Sequence, residues 1–170
     1  MEITTINQLI AAGSGLIGAC IGACISGFVN YTINNNNHNI EKLSFAAGFV
    51  AEVESLQNVI KERKYLEHFT SLSTDPDVLA GGRIPCPILI PDNFARFYNA
   101  NLDKVGLLEA EMAKLLVQYH QILQALAQDF KKDSHLSAHG FGIEDIKECI
   151  HFFTTALSIG DAFVNYKKHN

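Results

Sequence analysis

The sequence predicts an all-α protein with one N-terminal transmembrane helix followed by a helical bundle of three longer helices and one short helix. Three observations lead there. From Gln8 to His38 there is no Asp, Glu, Lys or Arg. Beyond that stretch, three segments repeat apolar residues at steps of three and four, the spacing of one helix face. No segment shows the sustained alternation of a half-buried strand.

The first element is Leu9 to Val29, LIAAGSGLIGACIGACISGFV. About 20 helical residues at ~1.5 Å each cross a hydrocarbon layer of ~30 Å. Leu, Ile, Phe and Val each favour insertion by ~0.3–0.6 kcal/mol near the centre, and the glycines and serines oppose it. Small residues gather on one side: Gly15, Gly18 and Gly22, with Ala19 and Ala23 alongside. Gly18 and Gly22 form a GxxxG pair, so Gly15, Gly18, Ala19, Gly22 and Ala23 are the expected helix-association face. Two other readings of this segment lack their usual start. A cleaved signal peptide or a lipidated Cys20 or Cys24 would normally follow a basic start, whereas this chain opens MEITTINQ. Lys42, Lys61, Arg63 and Lys64 all lie on the C-terminal side. That bias predicts a single span with the C-terminal domain in the cytoplasm.

The expected organisation is therefore 1–33 as tail and span, 34–39 as a polar, Asn-rich hinge, and 40–170 as the bundle domain. Within the bundle, Ile40 to Leu72 reads as one helix with the stripe Phe49, Val53, Leu56 and Ile60. Residues 73–92 hold all four prolines and Gly81-Gly82, and read as a long extended loop. Asp92 can cap a short helix to about Lys104, with Phe94, Phe97, Tyr98 and Leu102 on its apolar side and Gly106 as its stop. Leu108 to Lys132 carries the strongest period: Leu108, Met112, Leu115, Tyr119, Ile122 and Leu126, widened by Leu116, Leu123 and Phe130. Residues 134–142 read as a loop. Glu144 to Lys167 is the last helix, with Ile146, Ile150, Phe153, Leu157 and Val164 inward.

The stretch RFYNANLDKVGLLEAEMAKLLVQYHQIL, from Arg96 to Leu123, resembles a motif of small bacterial single-span membrane proteins with a helical cytoplasmic domain. In those proteins it accompanies a helix similar to FAAGFVAEVESLQNVIKERKYLEHF, from Phe45 to Phe69. The resemblance implies the architecture and a bacterial setting, and carries no assigned activity.

Composition limits the chemistry. The formal net charge of −5 offers no basic excess for nucleic acid. The four cysteines, Cys20, Cys24, Cys86 and Cys149, form neither a disulfide framework nor a CxxC zinc pattern. Glu148 and His151 match ExxH, but no second ExxH completes a di-iron set, and Glu52, Glu54, Glu109 and Glu111 lie off the apolar stripes. His135 and His139 stand four apart in a segment read as loop. Cys86, between two prolines, has no base near it in sequence. Gly81-Gly82 lacks a phosphate-loop context. Lys61, Arg63 and Lys64 read as a solvated face or a contact for anionic lipid. Catalytic, cofactor and metal residues are thus expected to be none. The expected function is a membrane-anchored, self-associating helical interaction or scaffold protein, whose partners are the lipid bilayer and a second copy or another membrane protein. The alternative is a small membrane-bound enzyme or ligand-binding protein with a site assembled from scattered His, Glu and Cys residues.

Overall fold

The computed structural model describes the backbone of residues 3–169 apart from Cys86, Pro87, Leu89, Asp92 and Lys132, and the side chains of residues 24–166 with the same exceptions. The elements are α1 (Ile3–Glu62), α2 (Tyr65–Leu72), α3 (Pro76–Leu79), α4 (Arg96–Ala100), a 3₁₀ turn (Leu102–Leu107), α5 (Ala110–Asp129), α6 (His135–His139) and α7 (Ile143–His169). Among the described residues there is no strand, only an isolated antiparallel bridge between Ile84 and Phe141. The all-α reading holds. The chain divides into two compact units, Met1–Leu43 and Ser44–Asn170.

In the first unit, every described residue from Cys24 to Ile40 is exposed. The exposed set includes Ile25, Phe28, Val29, Tyr31 and Ile33. The Asn-rich run at 34–39, expected as a hinge, is helical within α1. Among the described residues, no helix is long and apolar enough to cross a membrane. The backbone of the expected span Leu9–Val29 is helical within α1, and its side chains lie outside the described residues as far as Ala23, those of Gly15, Gly18, Ala19, Gly22 and Ala23 included.

The second unit is built on the expected stripes, with corrections. Phe49, Val53 and Ile60 of α1 are buried. The helix read as running to Leu72 breaks at Lys64, whose φ of 52° is left-handed. The Lys64 N–H closes onto the Lys61 carbonyl at 3.0 Å, and α2 starts in a new direction. This places Phe69 against Phe130, Phe141 and Phe153, with ring centroids 5.8–6.3 Å apart. In α5 the buried line is Met112, Leu116, Tyr119, Leu123 and Leu126, and Phe130 follows just past its end. Leu115 and Ile122, read as central, are only half-buried. The inward face is rotated by one residue toward Leu116, because α5 meets α7 more broadly than any other element does. In α7, Ile146, Cys149, Phe153, Ala156, Phe163 and Val164 are buried, while Ile150 and Leu157 are half-buried.

The 73–92 connection is not all extended. Asp75 accepts from the N–H groups of Asp77 and Val78, and Pro76 opens α3 in the position a proline suits. A Cβ on Gly82 would stand 2.6 Å from the Asp77 carbonyl oxygen, so the chain can turn there only without a side chain. The bridge of Ile84 to Phe141 then ties the loop to the start of α7. Arg83 reinforces it, donating from Nε to the carbonyls of His139 and Gly140 at 3.0 and 2.9 Å, and from Nη2 to Asp145 at 2.9 Å. The expected cap Asp92 lies outside the described residues. The helix expected up to Lys104 is instead α4 and the 3₁₀ turn, and Gly106 sits inside that turn rather than after it. Residues 134–142, read as loop, contain α6, capped by Ser134 through the Ser137 N–H.

Candidate functional site

The polar groups that converge in the second unit come from three elements. α4 begins after Ala95, a residue with no side chain able to accept its first N–H groups. The acceptor comes from α1. Glu52 Oε1 takes the Phe97 N–H at 2.6 Å and Oε2 takes the Tyr98 N–H at 2.9 Å. The carboxylate thus caps α4 from a distance, satisfying donors that a helix start leaves orphaned. Gly48, one turn earlier, is what lets α4 come this close, since a Cβ there would run into the Phe97 ring.

His120 of α5 completes the cluster. It is 3% exposed. Its ring lies flat on that of Tyr98, with centroids 3.8 Å apart and planes 12° apart. Nδ1 stands 3.0 Å from the Leu116 carbonyl, and this pattern assigns Nδ1 the proton. Nε2 faces Glu52 Oε2 at 3.3 Å, longer than either backbone bond to the carboxylate. That contact closes into an ion-paired hydrogen bond only when Nε2 is protonated. Burial opposes protonation and holds the His120 pKa below its ordinary value, against the opposite pull of the Leu116 carbonyl and of Glu52. Burial likewise raises the hydroxyl pKa of Tyr98 and, with Glu52 and Asp161 adding to it, that of Tyr119.

Beside the Tyr98–His120 stack is a cavity of about 200 Å³, with Phe94, Asn99, Gln124, Gln128 and Lys131 on its walls. Pockets for drug-sized ligands usually start near 300 Å³. Nδ1 faces the Leu116 carbonyl and Nε2 the Glu52 carboxylate, so both ring nitrogens are directed at groups of the protein. The cluster therefore organises α1, α4 and α5 around each other. A second buried polar side chain, Gln57, does the same for α1 and α7, donating to the Leu157 carbonyl and to Asp161 Oδ1, both at 2.9 Å.

The residues singled out by sequence fall elsewhere. Glu148 and His151 are both exposed. His135 and His139 are exposed on α6, their rings stacked at 4.2 Å, with His139 Nδ1 bonded to the His135 carbonyl. Cys149 is buried in the core, Cys24 is exposed, and Cys86 lies outside the described residues. Lys61, Arg63 and Lys64 are exposed, Lys61 standing 3.7 Å from Asp161. Among the described residues no group of His, Cys, Asp and Glu could hold a metal ion. Glu52, read as off the stripe, is a correction: its side chain is 11% exposed and faces inward. His120 carries a signal in the sequence. It sits four residues after Leu116 and three before Leu123, a polar residue inside an apolar line. No protein-family model matches the chain, and no curated protein or solved structure matches it.

Proposed function

We propose that this chain is a membrane-anchored helical interaction module that self-associates and has no catalytic chemistry of its own. The observation that carries the reading is the uncharged, apolar run through Leu9 to Val29. Large apolar side chains at Ile25, Phe28, Val29 and Ile33 stand exposed where that run ends, which suits a helix whose cover is lipid or protein. The Lys and Arg that follow the run favour a second unit on the cytoplasmic side, and the resemblance of Arg96 to Leu123 suggests a bacterial inner membrane.

A catalytic role has less support. In the buried polar cluster the Glu52 carboxylate is taken up by the N–H groups of Phe97 and Tyr98 and His120 Nδ1 by the Leu116 carbonyl, and the ExxH pair and the α6 histidines face solvent. Alkaline carbonate extraction of native membranes tests the proposal. The chain is expected in the pellet, and recovery in the soluble fraction would end the membrane reading. A C-terminal reporter fusion is expected to be active only as a cytoplasmic protein.

A further inference from the structure

We infer that the exposed face of α1 from Val29 to Leu43 seats a second copy of this chain, parallel and in register, with Asn36 facing Asn36. Val29, Ile33, Asn36, Ile40 and Leu43 follow one another at steps of four, three, four and three, the seam of a two-stranded coiled coil. The four apolar members are 46%, 51%, 57% and 59% exposed, so none is covered by the chain's own residues.

Three features select a second copy over another partner. The inference rests on the membrane anchor: two copies that enter one bilayer from the same side run parallel, so like residues meet. Asn36 interrupts the apolar seam. Against an apolar partner surface its amide would be buried without a bond, whereas in a parallel, in-register pair the two amides lie opposite one another and can bond each other. The flanking positions Asn30, Thr32, Asn37, Asn39 and Ser44 carry no charge. Identical copies therefore meet without repulsion, and a partner chosen by charge finds no handle. The seam alone spans only ~21 Å of helix. Four half-exposed side chains fall well short of the ~800 Å² each partner buries in a free-standing interface. The same count carried back through the sequence meets Ser26, Gly22, Ala19 and Gly15, so the register continues into the small-residue face of the span.

The test is cysteine scanning of the full chain in native membranes, with Cys20, Cys24, Cys86 and Cys149 changed to Ala. Single cysteines at Val29, Ile33, Asn36, Ile40 and Leu43 should give dimers of the chain on copper-phenanthroline oxidation, at several-fold higher yield than cysteines at Asn34, His38 and Glu41. These sites are exposed apart from the half-buried Glu41, and the Cys-free parent, which also loses the buried Cys149 thiol, is the reference for folding. Asn36→Lys, tested with the Ile40→Cys reporter, should abolish the dimer by setting like charges face to face. Uniform cross-linking around the helix, a cross-linked band of another mass, or a dimer that survives Asn36→Lys would each overturn the inference. Carbonate extraction of the same membranes separates the two readings. A pelleted chain without periodic cross-links removes the second copy and leaves the anchor. A soluble chain with periodic dimers removes the anchor and leaves the pair.

Discussion

Glu52 and His120 are 68 positions apart in sequence, yet Glu52 Oε2 stands 3.3 Å from His120 Nε2. The same oxygen accepts the Tyr98 N–H, so one carboxylate holds the start of α4 and the flank of α5 together. Replacing Glu52 by Ala removes both acceptors of the α4 N–H groups. Each buried donor left without a partner costs ~1–3 kcal/mol, and partial access of water places the sum at roughly 2–3 kcal/mol. Glu52→Gln keeps one carbonyl acceptor and should lose about half as much. Urea unfolding of the purified full chain measures both; equal stability of Glu52→Ala and the wild type would contradict remote capping.

The depressed pKa of His120 sets a pH dependence. Its unfolded value is near the ordinary 6.5 and its folded value lies lower. Between the two, the unfolded chain binds the extra proton and the folded chain does not, so stability rises with pH there. The contribution is present above about pH 6.5 and is lost as the pH falls through the folded value. His120→Gln should flatten this slope while lowering stability at neutral pH. Unfolding midpoints at half-unit steps from pH 5 to 8 would show it, and an unchanged slope in the variant would assign the effect to other groups.

The register of α5 is decided by two adjacent leucines. Leu116 is 0% exposed, whereas Leu115 is half-buried. An Asp at 116 would place a charge in the core at a cost of several kcal/mol, on the scale of a whole domain's stability of ~5–15 kcal/mol. Leu115→Asp can turn its carboxylate to water and should cost about 1–2 kcal/mol. Thermal unfolding that ranks Leu115→Asp as the more damaging would place the helix face wrongly.

At Gly160 two effects oppose. Within α7, Ala in place of Gly gains up to ~1 kcal/mol of helix propensity. A Cβ at 160 would, however, stand 2.6 Å from Gln57 Nε2 and 2.9 Å from Tyr119 Cε2. Gln57 is held by two bonds and Tyr119 is fully buried, so neither neighbour can give way cheaply. Gly160→Ala should destabilise by roughly 1–3 kcal/mol, as overpacking does. Stabilisation would mean that Gln57 swings aside.

The long helices were legible because burial against a neighbour imposes the three-and-four period that their sequences carry. Phe49, Val53, Tyr119, Leu126, Ile146 and Phe153 all point inward as their spacing predicts. The α5 face came out one residue off, since Leu115 and Leu116 are equally apolar and only the position of α7 chooses between them. The break at Lys64 was not legible: a left-handed Lys has no local sequence signature, and the turn persists because it delivers Phe69 to the aromatic core. The Glu52 cap was hidden for a similar reason. Its partner is the backbone of α4, and backbone N–H groups leave no mark in a sequence. His120 was readable in principle, as a polar residue breaking an otherwise apolar line.

The packing of α2 on α7 has a consequence for biosynthesis. Phe69 leaves the ribosome long before its stacking partners Phe130 and Phe153. At ~5–20 residues per second, α2 waits several seconds for α7 to be made. Phe49 meets Phe97 and Tyr98 once α4 is made, but Phe69 lacks Phe153 until α7 follows. The second unit is therefore complete only when α7 has been made, and its elongating form is the state in which a holding chaperone has something to grip.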